Sequence, residues 1–131
     1  MDTALSEALA PMLQDLGTCG VPLAEVRDNQ WSDFPGQVTA MLHDADGTAQ
    51  GVFAMAAEPL PERVASVAGQ VQEWAIEALW RAGRSANWPE CPEHPNFHPL
   101  KPAVQRDRAV WVCPKTHHQM GDIGRLGAAA G

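Results

Sequence analysis

The chain has 131 residues, 45% of them hydrophobic, and a formal net charge of −7. That length suits one domain with one main core, and that hydrophobic share excludes a disordered chain. No apolar run approaches the roughly 20 residues of a membrane helix. The charge is uneven. Met1 to Glu62 carries one base, Arg27, against ten acids, whereas Arg63 onward carries eight bases against six acids. The acidic half disfavours nucleic-acid binding by the whole protein and suits a basic protein surface as partner. Asp2 and the lack of an early basic stretch argue against a signal peptide. Three cysteines, an odd number, fit a reducing compartment better than a disulfide framework. A cytoplasmic location is therefore expected.

Leu5, Leu9, Met12, Leu13 and Leu16 recur at helical spacing. Thr3 suits the cap of that helix and Gly17 its stop. Pro11 falls inside the pattern and predicts a kink or a restart. "PLAEVRDNQ" reads as a short strand. In "QVTAMLH" the residues Val38, Ala40 and Leu42 alternate with Thr39, Met41 and His43. In "AQGVFAMAA", Val52 and Ala54 alternate with Phe53 and Met55. The "DADG" between them is a hairpin turn ending in Asp46-Gly47, and it lacks the later ligands of a calcium loop. Cys19 stands alone in "GTCGVP" and reads as a small semi-buried residue.

A long helix follows, with Pro59, Pro61 and Glu62 suited to its start. Leu60, Val64, Val67, Val71, Trp74, Ala75, Ala78 and Ala82 make its apolar face. Glu77 and Arg81 are spaced for an i, i+4 pair. Ile76 and Trp80 break the pattern, because they project from the polar side. A covering contact is expected there, either from the C-terminal segment carrying Trp88 and Trp111 or from a partner.

After "RAGRSANWP" proline becomes dense, and cysteine and histidine cluster. "HPLKPAV" and "DRAVWVC" read as two strands with a turn at Gln105 to Arg108. Cys91-Pro-Glu-His94 is a C-x2-H step, which grips one ion from a tight turn. His98 follows, and Cys113 returns at the end of the second strand. Thiolate and imidazole together suit zinc in a tetrahedral shell. His117 competes as the fourth ligand. His98 is favoured because Phe97 and Pro99 hold it rigid. Each cysteine precedes a proline, which stiffens a knuckle. The segment also has few aliphatic residues, so it needs a staple. Four protein ligands close the shell and argue for a structural ion rather than a catalytic one.

The segment "WPECPEHPNFHPLKP…AVWVCPKT…IGRL" resembles short uncharacterised actinobacterial proteins built around W-P-x-C-P-x-H, then H-P-L, then a tryptophan-bearing strand ending in C-P. The resemblance covers roughly the last third of the chain and implies Cys91, His94, His98 and Cys113 as the shared set. It implies no activity. The segment is also similar to zinc ribbons in having a knuckle and a returning hairpin. The element order resembles small acidic secretion-chaperone domains.

The expected fold is α+β: an α-β-β-β-α core over residues 1–86, a zinc-stapled β-hairpin subdomain over 87–126, and a flexible tail over 127–131. The expected function is a binding module with structural zinc, of adaptor, chaperone-like or immunity type. Trp80 and Ile76 are its partner-binding residues. The partner is a protein, or a second copy of the chain in a homodimer. A zinc hydrolase is the alternative, with Cys91, His94 and Cys113 on the metal and Glu90 or Glu93 as base. A second alternative is a nucleic-acid contact through Lys101, Arg106, Arg108 and Lys115. No G-x-S-x-G, P-loop, G-x-G-x-x-G, H-E-x-x-H or deaminase signature is present, and no catalytic residue is assigned.

Overall fold

A computed structural model describes residues 1–20 and 23–127. The expected tail, 127–131, lies outside the described residues apart from Gly127. The α+β class holds: two helices and two three-stranded antiparallel sheets. No helix among the described residues is long and apolar enough to cross a membrane.

The first helix, α1, spans Thr3–Leu16 and buries Leu5, Ala8, Leu9, Met12 and Leu16 on one face. Its cap is Asp2 rather than Thr3. The Asp2 carboxylate accepts the Ala4 N–H at 2.8 Å, one residue earlier than the sequence suggests. The helix does not restart at Pro11 but runs through it as one element. Packing of its apolar face outweighs the hydrogen bond that proline removes, and Gly124 fits closely against Pro11. A Cβ on Gly124 would lie 2.9 Å from that of Pro11.

The buried face of α1 also carries a carboxylate. Asp15 is 1% exposed. Its Oδ2 accepts from Trp111 Nε1 at 2.8 Å and from Gly124 N at 2.6 Å, and its Oδ1 accepts from Leu126 N at 2.9 Å. One side chain on the first helix thus ties down β5 and the segment from Gly124 to Leu126.

The first sheet is a meander of β1 (Leu23–Asp28), β2 (Gln37–Asp44) and β3 (Ala49–Met55). Ala40 pairs with Val52 and Val38 with Ala54. Ala40, Leu42, Val52 and Ala54 are buried, as the period-2 alternation predicts. The turn forms where "DADG" stands: Gly47 has φ of 93°, and Asp46 Oδ1 accepts from Thr48 N at 2.9 Å. The loop before β2 lays Trp31 over Gly51, where any Cβ would come within 2.9 Å of the indole. Trp31 Nε1 donates to Ala40 O at 2.9 Å.

The second helix, α2 (Leu60–Arg81), packs against α1 and against strands of both sheets. It buries Val64, Val67, Ala68, Val71, Trp74, Ala75 and Ala78. Two glutamines on it make the connections. Gln70 meets β3 with its amide: Oε1 accepts from Phe53 N at 3.0 Å and Nε2 donates to Phe53 O at 2.9 Å. Gln72, 7% exposed, donates to Leu100 O at 2.7 Å and to Trp88 O at 3.3 Å. Both ends of α2 differ from expectation. Leu60 and Ala82, at the extremes of its stripe, are exposed because the helix overruns the core there. Arg81 pairs with Asp44 at 2.7 Å and Asp46 at 3.9 Å, so the β2–β3 turn takes the guanidinium from Glu77.

The second sheet holds β4 (Lys101–Gln105), β5 (Arg108–Val112) and β6 (Gln119–Asp122), in that order. Arg106 and Asp107, with φ of 53° and 60°, make the left-handed two-residue turn between β4 and β5. The expected two-stranded hairpin is therefore a three-stranded sheet. The sequence gives no sign of β6, because "QMGD" is short, polar and contains a glycine. The apolar core runs past residue 86. Cys91, Leu100, Trp111, Cys113 and Ile123 pack in one cluster with Leu5, Leu9, Val71 and Trp74.

Ile76 is half-buried, and Trp80 is 76% exposed. Trp88 and Trp111 do not cover Trp80. They pack on each other with ring centroids 6.1 Å apart, because Asp15 draws Trp111 toward α1.

Candidate metal centre

Two knuckles bring four donors together. The first is the loop between Pro89 and Leu100. Its ends are pinned by the Glu90–Pro99 bridge, by Leu100 N donating to Pro89 O at 2.7 Å, and by Gln72 beneath Leu100. Within it, His94 N donates to Cys91 O at 3.2 Å and Phe97 N to His94 O at 3.2 Å. Asn96 turns left-handed, with φ of 68°. The second knuckle follows β5. His117 N donates to Cys113 O at 2.9 Å, Cys113 N to His118 O at 3.0 Å, and Thr116 N to Cys113 Sγ at 3.5 Å.

The donor atoms of Cys91, His94, His98 and Cys113 all lie within 4.8 Å of one another. His94 Nδ1 stands 3.8 Å from Cys91 Sγ and 3.5 Å from Cys113 Sγ. The two imidazole centroids are 4.9 Å apart. His98 Nδ1 lies 3.3 Å from Pro99 O, a contact that places the ring hydrogen on Nδ1 and leaves a lone pair on Nε2. That Nε2 is buried and has no hydrogen-bond partner. A buried nitrogen acceptor without a donor costs about 1–3 kcal/mol unless something else satisfies it. Two sulfurs and two imidazole nitrogens, one of them an orphan, are a donor set able to hold a metal ion.

The electrostatics favour the ligating form of Cys113. Burial pushes the Cys113 thiol up. Hydrogen bonds from the Thr116 side chain, from the Thr116 and Lys115 backbone and from Cys91 outweigh burial and bring its pKa down to about 6. The thiolate is then populated at neutral pH, and thiolate is the form that binds metal. Glu93 is held below the ordinary carboxylate range by hydrogen bonds from Thr116 and then His118.

The other predicted residues lie elsewhere. His117 stands outside the cluster, exposed, with φ of 63°. Glu90 is exposed, and its backbone serves the bridge to Pro99. Glu93 gives both oxygens to Thr116 and His118, so a carboxylate held this low is a poor general base. Lys101, Arg106 and Lys115 are exposed, and Arg108 is paired with Asp122. Sequence reasoning overlooks Asp15, Gln72 and Thr116, and reads His118 only as an exposed polar residue, which it is, without its contact to Glu93. Only Asp15 carries a local signal, since it sits at an apolar phase of α1.

No family model, curated protein or solved structure matches this chain.

Proposed function

We propose that this protein holds one structural zinc ion on Cys91, His94, His98 and Cys113 and serves in the cytoplasm as a protein-binding module. The observation that carries the metal reading is the buried, partnerless Nε2 of His98 within a cluster of two cysteines and two histidines. Sulfur and imidazole donors favour zinc over the oxygen-seeking cations. Four protein donors leave no coordination position for water, which supports a structural role over a hydrolytic one. Elemental analysis of protein purified without added metal should find about one zinc per chain. Cobalt substitution should give the intense visible bands of a tetrahedral sulfur-nitrogen site. A folded chain free of metal would remove the proposal.

The binding role rests on Trp80, which is 76% exposed on α2. An indole so placed is the kind of residue that anchors an interface. The uneven charge favours a basic partner, with a second copy of the chain as the other arrangement. Trp80→Ala should change stability by no more than about 0.5 kcal/mol, since it is a surface substitution. It should also weaken capture of the partner from cell extract or, for a homodimer, shift sedimentation toward monomer. A variant unchanged in capture and in assembly would show that Trp80 anchors nothing.

A further inference from the structure

One side chain that is not a ligand joins the two knuckles. Glu93 lies between Cys91 and His94 in the first. Its Oε1 accepts from Thr116 Oγ1 at 2.7 Å, and its Oε2 lies 2.7 Å from His118 Nδ1. Both partners belong to the second knuckle. His118 N donates to Thr116 Oγ1 at 3.2 Å, and Thr116 N donates to Cys113 Sγ at 3.5 Å. A continuous chain of hydrogen bonds thus runs from Glu93 through Thr116 to a ligand sulfur.

The two sides of the centre differ in access. Cys91 and Cys113 are 0% exposed and belong to the apolar core. His94 and His98 are half-buried, and Glu93, Thr116 and His118 are exposed at the rim. An ion held by four donors leaves one bond at a time. A ligand that has let go rebinds quickly only if it stays close, which is an effective-concentration argument. The first knuckle brings Cys91, His94 and His98, and the second brings Cys113. Whatever holds the knuckles together while one bond is broken therefore sets how long the ion remains.

We propose that Glu93 is a positioning residue that governs metal retention by clasping the first knuckle to the second. This rests on the metal-centre reading above. An exposed contact of this sort contributes little to global stability. Its effect belongs in the hold on the ion, where loss of a hydrogen bond behind a ligand typically costs about 10–100-fold in affinity and is read here as faster release.

The test is transfer of zinc from the loaded protein to an excess of a chromogenic chelator. Glu93→Ala should transfer its metal about 10–100-fold faster than the parent chain. Thr116→Val should move the rate the same way, and Glu93→Gln, which keeps an acceptor for Thr116, should recover part of the loss. The cobalt-loaded forms of all three should keep the parent absorption spectrum, because no ligand has changed. If Glu93→Ala fails to fold, the other two variants decide. Parent-like transfer rates in variants carrying one metal per chain would overturn the clasp. An altered cobalt spectrum in Glu93→Ala would also overturn it, by making Glu93 a ligand. A parent chain without metal would sink the metal-centre reading and this proposal with it.

Discussion

Replacing Asp15 with alanine is expected to lower the unfolding free energy by about 3–5 kcal/mol, a large share of the roughly 5–15 kcal/mol that keeps a domain folded. The reason is the number of donors it leaves behind. Trp111 Nε1, Gly124 N and Leu126 N all point at this one carboxylate. A donor stranded in the interior costs about 1–3 kcal/mol, the full cost for buried Trp111 Nε1 and less for Gly124 N and Leu126 N, which are only part-buried and can turn toward water once released. Asp15→Asn should be milder in one respect, since an amide oxygen remains, but its NH2 group then faces at least one of the same donors. Urea unfolding followed by tryptophan fluorescence checks this, with Asp2→Ala as the comparison. Asp2 caps the same helix in an exposed position and should cost only about 0.5–2 kcal/mol. Equal losses for the two variants would show that the buried carboxylate contributes no more than an ordinary helix cap.

The second large effect concerns Cys113. If the proposed zinc is bound, stripping it with a chelator should remove about 4 kcal/mol for free zinc a thousandfold above its Kd. Cys113→Ser should reproduce that loss even with zinc present. The structure bears on how far the damage spreads. Trp111, two residues before Cys113, is fully buried in the same cluster as Leu5, Leu9 and Val71. Gln72 of α2 holds Leu100 at the mouth of the first knuckle. Loss of the ion should therefore be felt in α1 and α2, and unfolding should remain one transition. Near-ultraviolet and far-ultraviolet dichroism should fall together on heating. Two separated transitions, with proteolysis confined to residues 87–126, would instead show a subdomain that melts on its own.

What the sequence reveals follows from how local each signal is. Val38, Ala40 and Leu42 mark β2 because a strand facing a core must alternate, and the alternation lies within seven residues. Cys91, His94, His98 and Cys113 are legible for a different reason. Few residue types ligate soft metals, so their clustering is informative even before the chain is folded. The clasp is not legible, because Glu93, Thr116 and His118 are ordinary polar residues. Their meeting depends on the register that returns Cys113 beside Cys91. The third strand of the second sheet is hidden too, since Gly121 and its polar neighbours are recruited only by the exposed edge of β5. Asp15 lies between these cases. Its position in the apolar phase of α1 is visible, but nothing nearby says that its partners lie at Trp111, Gly124 and Leu126.

The reach of Asp15 also bears on how the chain folds as it is made. Its acceptor oxygens sit near the start of the chain, and the backbone donor on Leu126 is separated from them by 111 residues. Ribosomes add roughly 5–20 residues per second, so α1 spends on the order of ten seconds with an unmatched carboxylate on its apolar face. During that time the helix cannot bury that face without also burying a bare charge, which is a heavy penalty. Early, incomplete collapse of α1 onto α2 is thereby discouraged until the donors that hydrogen-bond it have been synthesised. The same residue that fastens the finished fold should delay closure of the unfinished one.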